Sequence, residues 1–281
     1  MDFLSLDNRL REALREDIGR GDVTTESIVE GTTSEHTCEA RIMAKEELVL
    51  AGWPVFVRVF ELLGPIEVRS QAEDGKLIPA GSTLGCLRGP GHALLRGERV
   101  ALNLLQRMSG VASLTREYAL AIAGTRTRIL DTRKTTPLWR DLEKYAVRVG
   151  GGVNHRRGLD DGILIKENHI AWAGGIRNAI NACVRRSSHL QKVEIEVTNL
   201  DQLEEALQAG AEIVMLDNMN VEQVREAVRV SAGRCLLEVS GGVNLSTIRK
   251  YAETGVDFVS VGALTHSYRA RDISMLFVTL G

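Results

Sequence analysis

Cysteine is scarce and unpaired in this 281-residue chain: Cys38, Cys86, Cys183 and Cys235 are scattered, with no C-x-x-C pair and no histidine at zinc-ligand spacing beside them. That argues against a disulfide framework or a zinc site and leaves buried free thiols as the reading. No apolar run reaches the roughly 18 residues of a membrane-spanning helix, and the opening MDFLSLDNRLREALRED is charged from position 2, so neither a membrane segment nor a signal peptide is expected. The cytoplasm is the expected compartment. An excess of one charge sign is missing too: 35 Lys and Arg stand against 37 Asp and Glu, for a net charge of −2. Nothing in that balance suits nucleic acid, so any anion binding must be local. The glycine fingerprint of a dinucleotide-binding sheet is also absent after the first strand of the parallel region.

What is present falls into three textures. Leu6, Leu10, Leu14 and Ile18 recur every four residues and predict a docking helix that stops at Gly19 and Gly21. Between Thr33 and Gly89, short apolar runs separated by Gly, Pro and acidic turns predict a small sheet with a helix near Val55 to Leu63, an α+β domain. The segment from His92 to Thr125 repeats its apolar residues with a helical period, and Ser109-Gly110 suggests a break into two helices.

After Gly124 come RILDTRK, GILIKEN, VEIEVTN, EIVMLDN, CLLEVSG and DFVSVGA, each an apolar run that ends in polar residues, with helical stretches between them. Strand and helix alternating in this way predict parallel β/α units. Polar residues spaced by two, Glu194 with Glu196 and Glu238 with Ser240, would point inward to a lined mouth, which favours a closed barrel over an open sheet. With about six strands, against the usual eight, the expected fold is an incomplete α/β barrel.

Active sites of such barrels gather at the carboxyl ends of the strands. The first strand end supplies Asp131, Arg133 and Lys134; a loop supplies Asn154, His155, Arg156 and Arg157; the next strand supplies Lys166, Asn168 and His169. Seven Lys and Arg against three acidic residues between 131 and 157 make a basic wall, and an anionic substrate is implied. Glu196 and Asp217 end neighbouring strands, a pair that suits magnesium bridging substrate phosphates. Ser240, Gly241 and Gly242, then Ser260 and Gly262, end the last two strands with small residues whose backbone N–H groups suit a phosphate. By residue type alone each has a structural alternative: Arg133 and Lys134 as a solvated turn, His155 and Arg156 as a loop ion pair, Glu196 and Asp217 as helix caps or partners of Lys166, His169 as the group that orients Lys166. His36, His92, His189 and His266 are read as bystanders.

Seven segments together resemble the quinolinate phosphoribosyltransferases: EDIGRGDVTTE (16 to 26), GERVALNLLQRMSG (97 to 110), DTRKTTP (131 to 137), EKYAVRVGGGVNHRRGLDDGILIKENHI (143 to 170), EIEVTNL (194 to 200), MLDNM (215 to 219), and VSGGVNLSTI with GVDFVSVGALTHS (239 to 267). The resemblance runs in order along nearly the whole chain, and DTRKTTP with NHR and IKENH are its specific parts.

It implies an amino-terminal α+β sandwich domain (1–104), an incomplete α/β barrel of the type II phosphoribosyltransferase kind (105–265), and a carboxyl-terminal segment (266–281) that returns to the first domain. It implies conversion of quinolinate and phosphoribosyl diphosphate to nicotinate mononucleotide, diphosphate and carbon dioxide, with Mg2+, in NAD biosynthesis. Arg133, Lys134, His155, Arg156 and Lys166 would bind the substrate carboxylates and nearby phosphate oxygens, and Arg99 would reach in from the second subunit of a homodimer. Glu196 and Asp217 would stand near the ribose hydroxyls and magnesium, with Lys134 and Lys166 beside them in the catalytic set. Ser240, Gly241, Gly242, Ser260 and Gly262 would hold the 5-phosphate. Two departures stand out: Leu138-Trp139, where a Gly-Leu pair is more familiar, and Arg157, where an apolar residue is common.

Overall fold

The structure, a computed structural model, describes residues 3–29 and 37–278; Thr33, where the first sheet was expected to begin, and His36 lie outside them. Two compact units result, Met1–Leu114 with Asp141–Gly150 and Tyr268–Gly281, and Thr115–Arg140 with Gly151–Ser267.

The first unit is built on an antiparallel sheet of β1 (Thr37–Ala44), β3 (Glu67–Ser70), β5 (Thr83–Pro90) and β12 (Ile273–Val278), in the order β12-β1-β5-β3. A short pair, β2 (Leu48–Val49) and β4 (Leu77–Ile78), stands beside it. The last strand returns from the end of the chain to pair with β1, Met275 opposite Ile42. Leu6, Leu10 and Leu14 of the first helix (Phe3–Ile18) are buried as their spacing predicts. The helix Trp53–Glu61 buries Val55, Phe56, Val59 and Phe60, and its first turn is pinned from outside by Asp74, whose carboxylate accepts the N–H groups of Gly52 (2.8 Å) and Trp53 (3.0 Å) and the hydroxyl of Tyr145 (2.7 Å).

The break expected at Ser109-Gly110 does not occur: one helix runs from Gly91 to Ala121. The small residues serve close packing instead. The Ser109 hydroxyl accepts the Ala51 N–H (3.2 Å), and a Cβ on Gly110 would stand 2.4 Å from the Arg269 carbonyl oxygen. Helical backbone tolerates a Ser-Gly pair when such contacts compensate for its poor propensity.

In the second unit all six strands are parallel: β6 (Arg128–Leu130), β7 (Ile163–Ile165), β8 (Val193–Val197), β9 (Ile213–Asp217), β10 (Leu236–Ser240) and β11 (Phe258–Ser260), in the order β6-β11-β10-β9-β8-β7. The sheet is not a closed barrel. Among the described residues β6 and β7 do not pair, and the outer edge of β6 is met by a loop residue, Val153, which bridges to Leu130. The Val153 N–H binds the Ile129 carbonyl (2.8 Å), and Val153 accepts the Asp131 N–H (3.2 Å). The sheet still curls, because one cavity is lined by residues from the ends of all six strands.

Alternation along the strands sorts the side chains. Val193, Ile195 and Val197 of β8 are buried on one face, while Glu194 and Glu196 share the other. Among the described residues no helix is long and apolar enough to cross a membrane. Gly110→Ala is expected to cost about 2 kcal/mol, because the new methyl meets backbone rather than a movable side chain; an unchanged urea midpoint would show that the contact yields freely.

Candidate active site

The cavity at the carboxyl ends of the strands has a volume of about 560 Å³. Its walls carry Arg133 and Lys134 after β6, His155 and Arg156 from the seam loop, Lys166 after β7, Glu196 on β8, Asp217 on β9, Ser240 on β10 and Ser260 on β11. Sequence reasoning placed these residues at one mouth, and the fold brings them together there. Gly241 and Gly242 follow Ser240 directly, and Gly262 follows Ser260 after Val261. Arg99 is exposed on the long helix, in the other unit.

The cations are held in a way that leaves charge to spare. Arg156 donates from Nη1 to the Gly162 carbonyl (3.0 Å), but its buried Nε has no hydrogen-bond partner among the described residues. Burial, with Arg133 nearby, pulls the Arg156 guanidinium below its usual range, a cost that a bound anion would remove. Lys166 Nζ donates to Glu196 Oε2 at 2.5 Å. The backbone N–H of Lys166 is received by His169 Nδ1 (2.9 Å), so His169 orients the lysine from the next helical turn. Asp217 sits beside this pair, and burial together with the Glu196 charge pushes its carboxyl above the usual carboxylate range. The Asn218 amide donates to it at 2.9 Å.

The two glycine ends differ in backbone: Gly262 is right-handed, with φ of −64°. Gly241 and Gly242 have φ of 97° and 63°, in the left-handed region where glycine has no penalty, and a Cβ on Gly241 would fall 2.2 Å from Asn218 Oδ1. Successive residues in such conformations can turn backbone N–H groups to one side and form an anion-binding concavity. A Cβ on Gly262 would stand 3.0 Å from His266 Nε2 and 3.2 Å from Lys134 Cδ, so His266, read as a bystander, packs against the second of these ends. Leu138 has φ of 68°, which accounts for the more familiar glycine at that position: the turn asks for left-handed backbone, and Leu138 adopts it at a steric cost, with its side chain exposed.

Sequence reasoning missed the roles of three acids. Asp131 is fully buried, and its carboxylate accepts the Asn154 amide (2.5 Å) and the His155 N–H (2.9 Å), which fixes the loop that carries His155 and Arg156. Glu194 and Glu238 point inward as their spacing suggests but are almost fully buried, 6% and 2% exposed, both against His155 Nε2, and Glu238 reaches the cavity lining. The spacing by two showed that they faced inward but held no information on depth.

Two family models match this chain: the amino-terminal domain of quinolinate phosphoribosyl transferase over residues 22–109 and its carboxyl-terminal domain over 111–276. A probable nicotinate-nucleotide pyrophosphorylase [carboxylating] of Bacillus subtilis is 43% identical over 276 residues, covering 98% of this chain and 94% of its own length. The nicotinate-nucleotide pyrophosphorylase [carboxylating] of Mycobacterium leprae is 41% identical over 281 residues, covering 98% of each. The crystal structure of NadC from Streptococcus pyogenes, 40% identical, superposes with a TM-score of 0.93 over 99% of both chains.

Replacing Asp131 by Ala leaves the Asn154 amide and the His155 N–H without their acceptor. A loss of about 3 kcal/mol in unfolding free energy is expected from the broken pair of charge-assisted bonds. A loss below about 0.5 kcal/mol, the scale of an unremarkable surface change, would show that the seam loop is held by other means.

Proposed function

The chain belongs to the quinolinate phosphoribosyltransferase family, and we propose on that footing that it joins quinolinate to the ribose of phosphoribosyl diphosphate, releasing diphosphate and carbon dioxide and leaving nicotinate mononucleotide for NAD synthesis. The observation that carries this reading is the single cavity in which Arg133, Lys134, Arg156 and Lys166 face Glu196 and Asp217. It offers cations for a dianionic ring and acids for a ribose that becomes positively charged.

Quinolinate has carboxylates on adjacent ring carbons. Planar guanidinium forks bind such groups in pairs of parallel hydrogen bonds, and the unpartnered Nε of Arg156 is suited to one of them. Arg133, Lys134 and Lys166 complete the grip on the carboxylates and nearby phosphate oxygens, with His155 lining the same cavity. Departure of diphosphate leaves positive charge at the anomeric carbon, and the carboxylates of Glu196 and Asp217 stabilise it without moving. The pyridine nitrogen attacks and becomes cationic; that cation accepts the electrons released when the neighbouring carboxylate leaves. The 5-phosphate is assigned to Ser240, Gly241, Gly242, Ser260 and Gly262, where the left-handed backbone of Gly241 and Gly242 and the small side chains let backbone approach it closely.

Magnesium fits the acidic pair. Burial and the charge of Glu196 raise the carboxyl of Asp217, and Asn218, Lys166 and Lys134 offset this only in part. Glu196 and Asp217 would hold a divalent ion, which would supply charge neutralisation for the departing diphosphate. We assign the enzyme to the cytoplasm and to a homodimer in which Arg99, exposed in the amino-terminal unit, serves the neighbouring subunit's site.

The test is to mix the protein with quinolinate, phosphoribosyl diphosphate and magnesium and to follow nicotinate mononucleotide and carbon dioxide. Both should appear, and neither should when nicotinate replaces quinolinate; no product from folded protein would overturn the assignment. Arg133→Ala should raise the KM for quinolinate about 30-fold, the value of one charged hydrogen-bonded contact of ~2 kcal/mol, with unfolding unchanged; a wild-type KM would remove Arg133 from the grip. Changing Glu196 and Asp217 together to Ala should lower turnover at least about 100-fold while the protein still unfolds cooperatively, and retained turnover would make the pair structural.

A further inference from the structure

At the floor of the cavity, Glu238 and the more deeply set Glu194 meet His155. Its Nε2 stands 3.2 Å from Glu194 Oε2 and 3.8 Å from Glu238 Oε2. The three could be taken for a metal site. The hydrogen bonds argue otherwise. His155 Nδ1 accepts the backbone N–H of Arg156 at 2.7 Å, so the ring proton is assigned to Nε2, which donates to Glu194. A metal-bound histidine keeps its second nitrogen as a donor, and here that nitrogen is an acceptor.

The carboxyl groups themselves lack a proton's worth of bonding. Glu194 Oε1 and Glu238 Oε1 are both buried without a hydrogen-bond partner as long as each group is written as a carboxylate. Two carboxylates cannot both stay ionised in so dry a place. Burial first, then the charge of Glu194 and a hydrogen bond with it, hold the Glu238 carboxyl well above the usual carboxylate range. Around Glu238 stand Glu194 from β8, Asp131 from the end of β6, His155 and Arg156 from the seam loop, and Ser260 from β11; on β9 the residue opposite is Met215. Glu238 also lines the cavity that holds Arg133 and Arg156.

The reaction proposed above has an unassigned requirement. When the ring carboxylate leaves, the carbon–carbon bond breaks, carbon dioxide departs and the electron pair stays on the ring carbon beside the cationic nitrogen. That carbon must gain a proton before the carbon dioxide adds back to it, so net release of carbon dioxide waits on the donor. We propose that Glu238, protonated and backed by Glu194 and His155, is the proton donor for this carbon. Its O–H bond breaks as the new C–H bond forms, and the Glu238 carboxylate recovers a proton from water before the next turnover. Donation by a residue within the cavity keeps the reactive carbon away from bulk solvent.

This inference rests on the proposed function, and the test separates the two. With wild-type protein, nicotinate mononucleotide formed from quinolinate establishes the reaction; its absence would defeat the function and the proton role together. Given turnover, Glu238→Gln, which keeps the shape of the neutral acid, should slow carbon dioxide release about 100-fold in a single turnover. Diphosphate release should continue, so that the uncleaved quinolinate mononucleotide accumulates. Carbon dioxide release at the wild-type rate, or a parallel loss of diphosphate release, would overturn the role of Glu238 and leave the function standing. Should the variant not fold, the single-turnover rate of carbon dioxide release by the wild type decides. It should fall as pH rises through the titration of the donor, and a rate that stays flat up to the pH at which the protein unfolds would overturn the proposal.

Discussion

The buried carboxylate of Asp131 is the interaction on which the site depends. A six-stranded parallel sheet leaves its two outer strands unpaired with each other, and an open edge beside a polar cavity would admit solvent and leave backbone groups unsatisfied. Here the edge of β6 is covered by the loop at Val153 to Arg156. Backbone bonds between Val153 and Ile129 and Asp131 set that loop's register. The Asp131 side chain then anchors Asn154 and His155. Closure of the seam and placement of His155 and Arg156 are thus one event.

Charge placement follows from the same arrangement. Strands that run in one direction deliver their ends to one side, so residues far apart in sequence arrive at one mouth. Cations come from β6, the seam loop and β7; acids come from β8 and β9; glycine turns come from β10 and β11. The arrangement is under electrostatic strain without a ligand. Arg156 is buried near Arg133, and Asp217 is crowded by Glu196. An anion at one wall and a cation at the other relieve both, which is the sense in which the site is organised in advance for charged substrates.

Much of this was legible in the sequence because it is local. Apolar runs that stop at a polar residue mark strand ends, and the four-residue spacing of Leu6, Leu10 and Leu14 marks the buried face of a helix. What stayed hidden depends on partners distant in sequence. Ser109-Gly110 reads as a helix break until Ala51 and Arg269 are seen against it. Asp74 gives no local sign that it anchors a helix more than twenty residues before it. Barrel closure could not be decided from strand count, because the seam is filled by a loop with no strand pattern. Glu194 and Glu238 alternate with apolar neighbours as mouth residues would, and their near-complete burial against His155 shows only in the fold.

The central claim is that this cavity selects a ring bearing two carboxylates by means of cations fixed in advance. Calorimetric titration with quinolinate and with nicotinate at one ionic strength tests it most directly. The account predicts that quinolinate binds more tightly by at least about 30-fold, the value of one further charged contact of ~2 kcal/mol, and that the difference shrinks when the Asp131 anchor is removed. Equal affinities for the two acids would contradict it.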